Sequence, residues 1–193
     1  MKMLESIQAA VAESVRVKQA LLADESLLAQ IAAVGELLVE TYRAGGKTLW
    51  AGNGGSAADA QHMAAELVNK FRFDREGLPA VALTANTSVV TAIGNDYGYD
   101  RLFVKQLEAF ARPGDVFVGI STSGNSANLL AVTDWCRARG IVTVALTGAA
   151  ACGMDAYDHV IKVPSTDTPR IQECQTLIGH ILCEIVERER FTR

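Results

Sequence analysis

Two short segments of this 193-residue chain carry more hydroxyls, amides and glycines than a turn requires. The run STSGNS at 121–126 holds Ser121, Thr122, Ser123 and Ser126 directly after the apolar stretch DVFVGI. A turn that caps a helix needs one hydroxyl. Four in six residues, followed by a helix N-terminus, make a cup of donors able to hold a phosphate without a lysine. The run AGNGGS at 51–56 ends another apolar stretch. There Asn53, Gly54 and Gly55 permit positive φ and let backbone N–H groups approach an anion closely.

Nearby motifs narrow the chemistry. The glycine run fits G-x-G-x-x-A, but a dinucleotide site also wants an acid after the second strand, and 84–88 reads TANTS. Neither G-x-S-x-G nor a Walker lysine is present, which argues against a serine hydrolase or a P-loop enzyme. His62 and Glu66 follow the glycine run four residues apart, a spacing that places both side chains on one helix face. Gln172 and His180 lie on a later helical stretch. Eight residues advance about 12 Å and rotate by about 80°. Both could serve one site with extended side chains, or they could serve it from different subunits. His159 belongs to no such set and reads as structural.

The positioning elements follow from periodicity. Apolar residues such as Leu4, Ile7, Val11 and Val15 recur at helical spacing, giving helices over about 2–23 and 25–44, with Asp24 as a stop and Gly45-Gly46 ending the second. Strands are expected at 48–51, 80–83, 115–120, 142–146 and 159–163. Helices are expected near 56–71, 87–93, 100–111, 126–139 and 169–190. Buried strands alternating with helices predict an α/β fold, a doubly wound five-stranded parallel sheet of flavodoxin-like order with ligands at the carboxyl ends of the strands. Residues 1–44 form an N-terminal helical extension whose apolar face needs a cover, such as a partner subunit, and 45–193 form the ligand-binding domain. Asn95 and Asp96, in IGNDYGYD, read locally as an Asn-Asp turn.

Composition is that of an ordinary globular chain, 49% hydrophobic and 21% charged, with a net charge of -4. Charges are interspersed, so no nucleic-acid surface is expected. No run of about eighteen apolar residues exists for a membrane span, and the N-terminus lacks a signal-peptide core. A cytoplasmic location and reduced thiols are therefore expected for a chain whose four cysteines form no C-x-x-C pair.

Over AGNGGSAADAQHMAAEL, TAIGNDYGYD, GISTSGNSANLL, VALTG and TPRIQECQTLIGHILCEIVE the chain resembles the SIS (sugar isomerase) family, in particular its phosphoheptose isomerases. The resemblance implies an aldose–ketose isomerase that converts sedoheptulose 7-phosphate to D-glycero-D-manno-heptose 7-phosphate through an enediol, toward bacterial surface heptose. It implies Glu66 and His180 as acid/base groups. Ser121, Thr122, Ser123, Ser126, Asn53, Gly54 and Gly55 would seat the phosphate, and Asn95, Asp96, Glu66 and Gln172 would contact the sugar. It also implies one zinc ion per subunit, held by His62, Glu66, Gln172 and His180, and a homotetramer. Relatives carry His where this chain has Gln175. The rival is a non-catalytic SIS protein that binds a phosphosugar or associates with DnaA. Such proteins can lack the acid and the second histidine, and Glu66 and His180 favour catalysis.

Overall fold

The computed structural model describes residues 2–191. Helices α1 (Lys2–Ala23) and α2 (Glu25–Arg43) lead into β1 (Thr48–Gly52), α3 (Gly55–Val68) and β2 (Ala80–Ala82). Then come α4 (Thr87–Tyr97), α5 (Leu102–Phe110), β3 (Val116–Ile120), α6 (Ala127–Leu130), α7 (Val132–Arg137), β4 (Val142–Thr147), β5 (His159–Lys162) and α8 (Thr168–Phe191). All five strands are parallel, in the order β2-β1-β3-β4-β5. This is the flavodoxin-like order, with its switch point between β1 and β3. Every residue of β1 and β3 is buried, as strands covered on both faces require.

Register positions the site. Gly52 pairs with Ile120, and Ile120 pairs with Leu146, so β1, β3 and β4 end level. With neighbouring strands about 4.8 Å apart, the loops that follow emerge side by side.

One core lies between the sheet and α2, α3 and α8, holding Leu38, Met63, Ile178 and Leu182. The other lies on the opposite face, around Phe103, Phe117 and Met154. Helix α2 is integral to the first core through Leu27, Ile31, Val34 and Leu38. Only Val17 and Leu21 of α1 are buried. Leu4, Ile7, Val11 and Val15 form an outward stripe at 48–61% exposure.

Three local expectations change. Asp24 does more than end α1: its carboxylate accepts from Leu27 N–H at 3.0 Å and caps α2. Asn95 and Asp96 are not a turn but the last turn of α4, which continues until Gly98 breaks it at φ +87°. The helix expected over 126–139 is divided at Ala131 into α6 and α7.

Candidate functional site

The hydroxyl loop closes on itself before it meets any ligand. Ser121 is buried, and its Oγ accepts from Gly124 N–H at 3.0 Å. Ser126 sits at the N-cap of α6. Thr122, Ser123 and Asn125 line a cavity of about 250 Å³ together with Gly148, Ala149, Ala150, Ser165, Thr166, Thr168 and Ile171. Of the four expected hydroxyls, two therefore face the cavity. Ser121 is turned inward to satisfy a loop N–H, and Ser126 is outside the lining.

Ser165, Thr166 and Thr168 add three hydroxyls to the lining, a contribution that the sequence reading missed. Its signal was the hydroxyl-rich PSTDTP just before the last helix. Ser123 and Ser165, like Ser121, also accept from nearby N–H groups, of Asn125 and Asp167. Thr168 opens α8, whose first turn carries no acid. The N-terminus of this 24-residue helix thus adds free N–H groups and a favourable dipole for an anion. Gly148 must be small here, because a Cβ would stand 2.9 Å from Thr122 O and 3.1 Å from Ser165 O.

Asn53 joins the glycine loop to α6. Its Nδ2 donates to Asn128 Oδ1 at 3.0 Å, and its Oδ1 accepts from Asn128 Nδ2 at 2.9 Å and from the Tyr99 hydroxyl at 3.0 Å. The oxygen and one N–H of the amide are engaged, and the second N–H of Nδ2 is free to donate, with no acceptor among the described residues. Gly54, at φ +57°, and Gly55 remain exposed at the N-terminus of α3. Asn95 and Asp96 are exposed on α4, where Asn95 Nδ2 donates to Asp96 Oδ1 at 2.7 Å.

His62 and Glu66 share one face of α3, with Nε2 and Oε1 3.1 Å apart. His180 of α8 meets them: its Nε2 is 3.4 Å from that of His62, and the rings pack edge to face at 4.9 Å. Ligand atoms of the three residues all lie within 4.8 Å of one another. Two nitrogens bound about 2.05 Å from a tetrahedral zinc would be about 3.4 Å apart. The imidazole separation matches that edge, and the donor set of two imidazoles and a carboxylate suits zinc. Cys183 is buried and stays outside this group; its thiol faces Met63 O at 4.0 Å, and burial pushes its pKa up to about 12.

Gln172 is not brought to these three residues. Its amide nitrogen lies beside Gly55, 2.8 Å from where a Cβ would stand. Gln175 is buried and donates to Leu146 O at 2.8 Å, bracing α8 on β4. His159 lies on β5, away from the cluster.

The chain and its fold have counterparts among known proteins. A family model described as the SIS domain matches residues 12–148. The chain is 53% identical over 190 residues to a phosphoheptose isomerase of Aneurinibacillus thermoaerophilus, covering 98% of this chain and 96% of that one. It is similar to the structure of a phosphoheptose isomerase from Francisella tularensis, with a TM-score of 0.90 and 34% identity, covering 97% of this chain and 100% of that one. The phosphoheptose isomerase GmhA from Neisseria gonorrhoeae superposes with a TM-score of 0.88 at 43% identity, covering 96% and 98%.

Proposed function

The chain belongs to the SIS-domain family, among its phosphoheptose isomerases, and from that premise we propose how its residues interconvert sedoheptulose 7-phosphate and D-glycero-D-manno-heptose 7-phosphate. The observation that carries the proposal is the convergence of His62, Glu66 and His180 from two helices onto one point.

The substrate phosphate is seated by Thr122, Ser123, Ser165, Thr166 and Thr168 at the start of α8, with Gly54 and Gly55 N–H groups at the adjoining helix terminus. Ser121 and Ser126 shape the loop. Binding energy from this remote group orients the reacting end. Asn95 and Asp96 offer an amide and a carboxylate to the sugar hydroxyls.

Glu66 takes the proton from C1 of the ketose, leaving an enediol across C1 and C2. His180 moves a proton from the C1 oxygen to the C2 oxygen, and Glu66, its proton exchanged with solvent, delivers one to C2, giving the aldose with no change in formula. Glu66 can combine two duties because a carboxylate has two oxygens. Oε1 faces His62, and Oε2 accepts no hydrogen bond among the described residues. His62, Glu66 and His180 would hold a zinc ion, one per subunit; the Gln172 that family likeness implies as fourth ligand would come from another subunit, since within one chain it lies beside Gly55. When bound, it would supply Lewis-acid stabilisation of the enediolate oxygen.

Part of the His62 side chain is exposed in a single chain, whereas this chemistry calls for exclusion of water. The outward apolar stripe on α1 supports assembly into a homotetramer; of residues 1–44, α1 would serve packing between subunits while α2 completes the core, and 45–193 bind the substrate. No helix among the described residues is long and apolar enough to cross a membrane, in keeping with a proposed cytoplasmic enzyme.

The test is incubation of the purified protein with sedoheptulose 7-phosphate in deuterated water. The expected product is the aldose heptose 7-phosphate carrying deuterium at C2. Absence of any aldose product would remove the proposal.

A further inference from the structure

The His180 ring has two aromatic neighbours. One is His62, against its edge. The other is Phe71, stacked with ring centroids 5.5 Å apart and planes inclined by 30°. Phe71 belongs to neither helix of the cluster. It lies in the loop that leaves α3, and that loop is held more firmly than a connection needs.

The holding group is a buried ion pair. Arg75 Nε donates to Glu187 Oε1 at 3.0 Å, and the two side chains are only 2% and 1% exposed. Glu187 also accepts from Phe71 N–H at 2.9 Å and Arg72 N–H at 2.6 Å. Arg75 spends its other donors on the end of α3: Nη1 on the carbonyls of Leu67, Asn69 and Glu76, and Nη2 on that of Glu66 at 2.8 Å. Every nitrogen of the guanidinium and both carboxylate oxygens are hydrogen-bonded, as a buried pair requires. Breaking such a pair from one side leaves an uncompensated charge, so the loop has little freedom to shift. Glu187 lies seven residues after His180, two turns along the same face of α8. The loop is therefore fixed to the helix that carries His180 and to the backbone of Glu66 at once.

From this geometry we propose that Phe71, fixed by the Arg75–Glu187 pair, is a positioning residue that sets the orientation of the His180 imidazole toward Glu66. The inference rests on the assignment of His180 as an acid/base group. A ring stacked on one face leaves the imidazole one plane in which to present Nε2 to His62 and Glu66. Removing the ring frees rotation about the His180 side-chain bonds while leaving the phosphate cup, at the far end of α8, untouched.

The experiment compares Phe71→Leu, Phe71→Tyr and His180→Gln in the full-length protein, reading kcat and KM for sedoheptulose 7-phosphate, Kd for inorganic phosphate, and Tm. Leucine keeps the apolar bulk without the ring, and tyrosine keeps the ring. Phe71→Leu is expected to lower kcat about tenfold, with KM and phosphate Kd within about twofold of wild type. Phe71→Tyr is expected to restore kcat to within about twofold. Wild-type kcat in Phe71→Leu, or equal losses in the leucine and tyrosine variants that track Tm, would overturn the positioning role. Turnover retained in His180→Gln would instead overturn the assignment of His180, and this inference with it.

Discussion

Gly179 is a point of close approach between α8 and α3, and a single methyl there tests whether that approach sets the catalytic cluster. A Cβ at Gly179 would stand 2.4 Å from Met63 Sδ and 3.0 Å from Met63 Cγ. Ordinary contacts need about 3.5 Å or more, so about 1 Å of movement is required. Methionine yields more readily than most side chains, but Met63 is fully buried between the helix and the sheet. Overpacking of this kind costs about 1–3 kcal/mol. If α8 moves instead, the 3.4 Å gap between the His62 and His180 nitrogens opens by a similar amount. Misplacement of about 1 Å at a reacting centre can lower a rate by about 10²-fold. Gly179→Ala should therefore lose about 10- to 100-fold in kcat, with KM little changed. Urea unfolding followed by the fluorescence of the buried Trp50 measures the stability cost. Met63→Ala removes the obstructing atoms, so the double variant should be less impaired than the sum of the singles, with a coupling of about 0.5–3 kcal/mol. Wild-type kcat in Gly179→Ala, together with additive stabilities, would refute the reasoning.

Other expectations concern the carboxylates and the metal. Glu66→Gln should abolish isomerisation while leaving the affinity for inorganic phosphate within about twofold, and retained turnover would reject Glu66 as the base. Chelation should suppress activity, and added zinc should restore it; unchanged activity in protein verified as metal-free would take zinc out of the mechanism. Burial alone would raise the Glu187 carboxyl, but the N–H groups of Phe71 and Arg72 and the Arg75 guanidinium outweigh it and hold it below the usual carboxylate range. A depressed folded value means that its contribution to stability is complete above about pH 4.3 and is lost as pH falls through the lower folded value. The acid-side decline in urea midpoint should therefore be shallower in Glu187→Gln than in wild type, and identical slopes would contradict this account.

Much of the fold was legible because each buried strand is a short apolar run bounded by turn residues. VFVGI and VTVALT need no partner to identify them, and their alternation with helices leaves few arrangements. Boundaries failed where a competing signal was weaker than it looked. Asn95-Asp96 resembles a turn, yet a helix tolerates both residues in its exposed last turn, and Gly98 is what ends α4. The hydroxyl-lined cup was half legible. STSGNS announces itself by composition, but which hydroxyls face outward depends on the loop's own N–H groups, and Ser121 is needed for Gly124. Ser165, Thr166 and Thr168 join the cup only because β5 ends beside β4, a fact of sheet order.

The cluster divides in the same way. His62 and Glu66 meet through local helical spacing, whereas His180 meets them through topology. Both α3 and α8 begin at the carboxyl edge of the sheet and run parallel across the same face. Parallel helices packed in this way pair residues at equal depth. Gly55 meets Gln172, Asp59 Oδ1 accepts from the Thr176 hydroxyl at 2.9 Å, and Met63 meets Gly179, an offset of 116 or 117 residues throughout. His62 and His180, 118 apart, keep that register. The same rule places Gln172 beside the glycine loop, about 12 Å along the axis from His180. Within one chain, Gln172 and His180 therefore stand about two turns apart on α8, the amide beside the glycine loop and the imidazoles with the carboxylate further along, and this separation follows from helix register alone.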